Sequence, residues 1–160
     1  MSENVSPEYV KTVINHRITN MTDDIHKQVV SRATRVSNEI ATATMQTLRG
    51  ARSGRQYKVY GTYSKRGKKA RSGVLYTASA PGEAPANRTG VFRASWKQKV
   101  VTAGNVVSAR VESDLKVGGR HLASILEQGT SKMRPRPYKR RIIDIAKPKA
   151  YRIYHEPYIK

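Results

Sequence analysis

Residues 6–50 read SPEYVKTVINHRITNMTDDIHKQVVSRATRVSNEIATATMQTLRG, and from Glu8 to Arg49 there is neither Gly nor Pro. Apolar side chains fall at Val10, Val13, Ile14, Ile18, Met21, Ile25, Val29, Ala33, Val36, Ile40, Met45 and Leu48. Steps of three and four residues put such side chains on one face of a helix. Ser6 can cap the start, Pro7 suits the first helical position, and Glu8 meets the positive end of the helix dipole. Gly50 supplies a stop. Unbroken, the helix would be a rod of roughly 65 Å, longer than a domain of this size is wide. The expectation is therefore a kink at Thr19-Asn20 or Thr22-Asp23-Asp24, or a projection that packs on another subunit.

The stretch 50–89 changes character. Gly50, Gly54, Gly61, Gly67, Gly73, Gly82, Pro81 and Pro85 punctuate it and break regular structure. Strands are predicted at Gln56–Tyr60 and Val74–Ser79, forming a hairpin with a basic tip at Ser64–Ser72. From residue 90 onward, Val91–Trp96 reads as a short helix or a strand start. Trp96–Thr102 and Val106–Ser113 flank Ala103-Gly104-Asn105, a three-residue hairpin turn. Val107, Ala109 and Val111 alternate with Ser108, Arg110 and Glu112, as in a half-buried strand. Arg120–Gln128 has helical spacing and ends at Gly129. Tyr138–Lys147 reads as a last helix. Tyr151, Ile153 and His155 alternate with Arg152 and Tyr154, so 149–160 is expected to be an extended arm. The fold class is α+β: a long N-terminal helix (continuous or kinked), a small antiparallel sheet, two short helices and that arm. One domain spans 1–148, with the helix over 6–49, the basic loop and hairpin over 50–89, and the sheet and short helices over 90–148.

The chain of 160 residues holds 31 Lys plus Arg against 11 Asp plus Glu, a formal charge of +20. Residues 1–49 carry six basic and five acidic side chains, so nearly the whole excess lies after residue 49. A balance this basic points to a polyanionic or acidic partner. Arg55, Lys58, Lys65, Arg66, Lys68, Lys69 and Arg71 belong to a run with no acidic residue, and are the candidates for contact with DNA or an acidic protein. Cys is absent, which removes disulfides, thiolate clusters and cysteine catalysis. No apolar run approaches the ~20 residues that span a bilayer, and the first residues lack the pattern of a signal peptide, so no membrane contact and no export by that route are expected.

Chemistry-bearing motifs are sparse. His16, His26, His121 and His155 have no spacing of metal ligands, and Glu112 with Asp114 is also a common strand-edge pattern. Gly50-Ala51-Arg52-Ser53-Gly54 lacks the Lys-Ser/Thr that completes a phosphate loop. The expectation is no catalysis, no cofactor and no metal. The sequence shows neither a helix-turn-helix nor an aromatic single-strand-binding motif, so sequence-specific reading of nucleic acid is not expected.

Three blocks carry a resemblance. Ser79-Ala80-Pro81-Gly82-Glu83-Ala84-Pro85-Ala86-Asn87-Arg88-Thr89-Gly90-Val91-Phe92-Arg93-Ala94-Ser95 resembles the signature of the head–tail joining proteins of long-tailed bacteriophages, the neck or tail-completion family. Leu122–Thr130 resembles that family's helix ending in Glu-x-Gly-Thr, and Arg134-Pro135-Arg136-Pro137-Tyr138 its following Arg-Pro-Phe/Tyr. The order of a long N-terminal helix followed by these blocks also fits, over about residues 8–147. Leu122 stands where the family often has Tyr, and the arm lies outside the match.

The resemblance implies a non-enzymatic virion component at the head–tail junction, assembled in the host cytoplasm. It would form a ring of itself, with six subunits favoured and twelve possible. A portal-side connector or head-closure protein would lie on one side and a tail terminator or tail tube protein on the other, with duplex DNA passing through in non-specific contact. Thr89, Gly90, Phe92, Ser95, Gly129, Thr130 and Pro137 would then be fold residues. Arg134, Arg136 and Tyr138 would lie at subunit interfaces, and Glu127 would cap or pair with an Arg there. Tyr151, Ile153, Tyr154 and Tyr158 are assigned to interfaces from the composition of the arm alone, since alternating Tyr and Ile can add a strand to a neighbouring sheet edge. The rival readings are a free basic DNA-binding accessory protein and a different tail part, such as a tail terminator.

Overall fold

The computed structural model describes residues 7–59 and 74–158. Helix α1 spans Pro7–Arg49 without a break. The residues that suggested a kink are accommodated inside it. Thr19 donates its hydroxyl to the Asn15 carbonyl at 3.0 Å and Thr22 to the Ile18 carbonyl at 2.9 Å. Thr12, Thr34 and Thr44 bond back by one turn in the same way. Hydroxyls that compete with helix formation from outside are here satisfied within the helix.

Two hairpins follow the expected pattern. Strands β1 (Gln56–Val59) and β2 (Val74–Thr77) pair antiparallel, with Tyr57 opposite Tyr76. After a one-turn helix α2 (Val91–Ala94), β3 (Trp96–Ala103) pairs with β4 (Val106–Ser113) over eight register positions. Ala103 pairs with Val106, so the turn is the two residues Gly104-Asn105 rather than three. A short ribbon, β5 (Lys116–Val117) with β6 (Arg120–His121), turns at Gly118 and Gly119. Both have positive φ, 56° and 76°, a conformation that β-carbon sterics oppose. Arg120 and His121 thus belong to a strand, and α3 starts later, at Leu122–Gln128. The strands form separate two-stranded ribbons, not one sheet.

The last helix corrects the expected arm. Helix α4 runs Lys139–Tyr154, straight through Pro148, so residues 149–154 are helical and not extended. Ile142, Ala146 and Ile153 are buried on one face, and that seam outweighs the single ladder bond the proline removes. Pro148 and Asp144 are both exposed, so water can serve the carbonyl left without its donor. The seam lies on α1, antiparallel to it. Arg35 meets Glu156, Glu39 meets Lys149, and Ala43 packs with Ile142 and Ala146. Small residues on α1 (Ala33, Ser37, Ala43, Thr44) are buried on its packed side, where α4 and the β3–β4 hairpin lie against it.

The core gathers Ala43, Ala84, Tyr138, Ile142 and Ala146, with Ile40, Phe92, Trp96 and Leu126 around them. Phe92, Trp96 and Tyr138 meet edge to face, with ring centroids 5.7–6.0 Å apart. Such contacts add to area burial. Tyr138 has no exposed surface and donates its hydroxyl to the Ala123 carbonyl at 2.9 Å. Replacing Tyr138 by Phe keeps the ring cluster and should cost about 1–2 kcal/mol for the unpaired carbonyl. Tyr138→Ala opens a cavity and should cost about 3–5 kcal/mol. Urea unfolding of the two variants measures both.

Candidate functional site

The three blocks distant in sequence are one node in space. In the first, Glu83 turns back on the chain. Its carboxylate accepts from the Ser53 hydroxyl at 2.6 Å, the Ser53 amide at 3.1 Å and the Ala80 amide at 2.8 Å. These bonds, with Arg52 nearby, hold its carboxyl down to about 2. Arg52 itself closes α1. Its guanidinium donates to the carbonyls of Thr47, Gly50, Ala51 and Pro85, so an arginine serves the carbonyls that follow the last turn.

The second and third blocks lock onto the first. Arg136 donates its amide to the Leu126 carbonyl at 2.8 Å and its guanidinium to the Ser79 carbonyl. Gly82 donates its amide to the Pro135 carbonyl. Gly129 has φ 77°, and a β-carbon there would lie 2.6 Å from the Met133 carbonyl oxygen and 2.8 Å from the Pro135 nitrogen. Only glycine fits that crossing. Thr130 bridges to Met133, which squares the turn. Pro137 is exposed just ahead of α4. Phe92 supplies the ring already described, and Ser95 donates to or accepts from Ser113 at 2.6 Å. Thr89 does not cap α2: Gly90, at φ 81°, is the cap and makes no side-chain bond.

Several interface candidates are spent inside the protomer. Glu127 accepts from the amides of Tyr138 and Lys139 at 3.1 and 3.3 Å, capping the N-terminus of α4. Tyr138 and Ile153 are core residues, with 0% and 8% exposure, and cannot face a neighbour. Arg136 is tied to Ser79 and Leu126. By contrast Arg134, Tyr151, Tyr154 and Tyr158 are exposed. Tyr151 lies against the His155 ring, and Tyr158 lies under the Arg32 guanidinium at 3.6 Å. Arg32 also donates to the Pro157 carbonyl at 2.7 Å, so residues 157 and 158 are strapped onto α1.

Of the DNA-facing candidates, Arg55 and Lys58 are exposed at β1, and Arg55 lies over Tyr57. Lys65, Arg66, Lys68, Lys69 and Arg71 lie outside the described residues. Several carboxylates are engaged within the protomer. Glu83 and Glu127 take amides, Glu156 takes both arms of Arg35 at 2.6 Å, and Glu39 takes Lys149 at 2.9 Å. Asp144 pairs with Arg140 at 3.2 Å on the exposed side of α4. Lys139, Arg141, Lys147 and Arg152 of the same helix are exposed as well. Among the described residues no group of three His, Asp or Glu is placed to hold a metal ion, and no helix is long and apolar enough to cross a membrane.

The folded-state carboxyl of Glu83 lies below the value of 4.5 expected without these partners. Its bonds therefore stabilise the protein above about pH 4.5, and the contribution is lost as pH falls toward 2. Glu83→Gln should lower the melting temperature at pH 7 and flatten its fall between those two pH values. A set of melts across that range reads both effects. Comparisons with protein-family models, with curated proteins and with solved structures returned no match.

Proposed function

We propose that this chain is a structural subunit of a ring at the head–tail junction of a long-tailed bacteriophage, joining the portal-connector side to the tail tube. The observation that carries the reading is the node. The blocks 79–95, 122–130 and 134–138, on which the resemblance rests, interlock through Glu127, Gly129, Arg136 and the aromatic trio rather than lying as separate strings. A shared motif set that builds the frame is what a family likeness in fold requires. The exposed basic surface suits a lumen through which duplex DNA slides, because charge attraction to phosphates carries no sequence preference. Six subunits is the favoured number and twelve the alternative. Repeating +20 in every subunit opposes closure of a ring unless passing DNA or acidic neighbouring rings offset it.

The second reading is a free DNA-binding accessory protein, favoured by the same basic surface. The two separate by where the protein resides. Electron cryomicroscopy of particles should show a symmetric ring of this chain between head and tail. Particles made without it should accumulate as DNA-filled heads and unattached tails. Particles that lack the protein altogether would overturn the ring. The accessory reading predicts binding to free duplex that weakens on the order of 10³-fold or more between 50 and 200 mM salt.

A further inference from the structure

The buried seam of α1 continues past the rest of the molecule. Along the helix, Val36 and Ala33 are buried, and Tyr158, the last described residue of the tail, lies at Arg32. Beyond that point the same stripe goes on as Ile25, Met21, Ile18 and Ile14, now 39%, 54%, 56% and 49% exposed. The stretch from Glu8 to Gln28 rises about 31 Å clear of the core. Four apolar side chains at steps of four, three and four form a seam of the kind that two helices share. We propose that the free protein pairs through this stretch with a second copy of itself, antiparallel about a two-fold axis.

The register follows from the side chains. With Ile18 facing Met21 of the second copy, Ile14 faces Ile25, and symmetry gives four apolar layers. The next layer at either end is Lys11 against Gln28, so the apolar seam stops in polar residues on both sides. In the same register the flanking positions bring Arg17 opposite Asp24 of the second copy, twice per pair. Asp24 already holds Lys27 of its own helix at 3.4 Å, an exposed contact that leaves its second oxygen for Arg17. The parallel arrangement instead sets Lys11 against Lys11 and offers Arg17 no acid.

Charge selects the occupant. Over residues 8–28 the formal charges are Glu8, Asp23 and Asp24 against Lys11, Arg17 and Lys27, which cancel, while the whole chain carries +20. A second copy docking anywhere on the basic body meets like charge. Docking along this rod sets Val29, where each body begins, opposite Val10 of the other helix, so the two bodies start about 28 Å apart, several times the ~8 Å Debye length at physiological salt. The pairing does not depend on the ring. Neighbours in a single ring contact each other through two different patches, whereas this contact is isologous, so the dimer is a form of the protein off the ring.

The test is sedimentation of the purified chain over a concentration series, with charge reversals. The wild type should show a monomer–dimer equilibrium. Arg17→Glu and Asp24→Arg should each weaken it about tenfold, and the double reversal should recover most of the loss. The chain contains no Cys, so engineered thiols report register cleanly. Ile14→Cys mixed with Ile25→Cys should cross-link on oxidation, and Ile18→Cys alone should cross-link poorly. A monomer at every accessible concentration, no recovery in the double reversal, or efficient Ile18→Cys self-linking would each overturn the pairing. Rings that form unchanged in the single reversals, with no dimer, would overturn it while leaving the ring reading intact.

Discussion

Tyr138 is the constraint on which the rest of the structure depends. Its ring closes the contact between α2, the start of β3 and the α1–α4 pair, and its hydroxyl ties α3 to them. Its own amide is held by Glu127, so one residue fixes both the packing of the core and the first turn of α4. Burial and Glu127 together push its hydroxyl well above the ordinary tyrosine range, which keeps it a donor to Ala123. The direction of α4 follows. Launched from that point, the helix has one way to bury Ile142, Ala146 and Ile153, which is back along α1.

That antiparallel pairing also sorts the charges. The acids of the chain are used close to home: two on backbone amides at helix starts and turns, others on cations that pin α4 and its tail to α1. Exposed pairs of this kind add little stability one by one. Each such ion pair neutralises one arginine or lysine, so it is the excess of 31 basic over 11 acidic residues that leaves the body basic, next to a rod whose charges cancel.

Local signals in the sequence were sufficient for much of this. The helical stripe of α1, the alternation in β4 and the turn between β3 and β4 are short-range patterns, and they read correctly within a residue or two. The end of the chain misled for a definite reason. The alternation Tyr151, Ile153, His155 suggests extended chain, while the longer spacing Ile142, Ala146, Ile153 supports a helix, and the partner face on α1 decides between them. Glu127 and Tyr138 misled differently. Both look like interface residues in a motif, yet Glu127 takes its capping alternative on the Tyr138 amide and Tyr138 bonds to Ala123, partners eleven and fifteen residues away. Ser53 with Glu83 and Arg35 with Glu156 lie 30 and 121 residues apart, distances over which a single sequence carries no pairing signal.

The length of α1 brings these threads together. Folding the core uses the helix only from about Val29 onward, where α4, its tail and the β3–β4 hairpin cover it. Among the described residues the apolar side chains Ile14, Ile18, Met21 and Ile25 before that point are exposed, and such surface favours association. A neutral rod on a basic body lets such association happen in one place and not in others. Contacts along the rod are short-range and apolar, whereas contacts between bodies are opposed unless an anion intervenes. On the proposed reading, an isologous pair of rods would need only a second copy, whereas a ring would need a polyanion to relieve repulsion between bodies. The exclusion of one by the other follows from symmetry, because a rod engaged with its own twin across a two-fold axis is not free to meet a ring neighbour related by rotation.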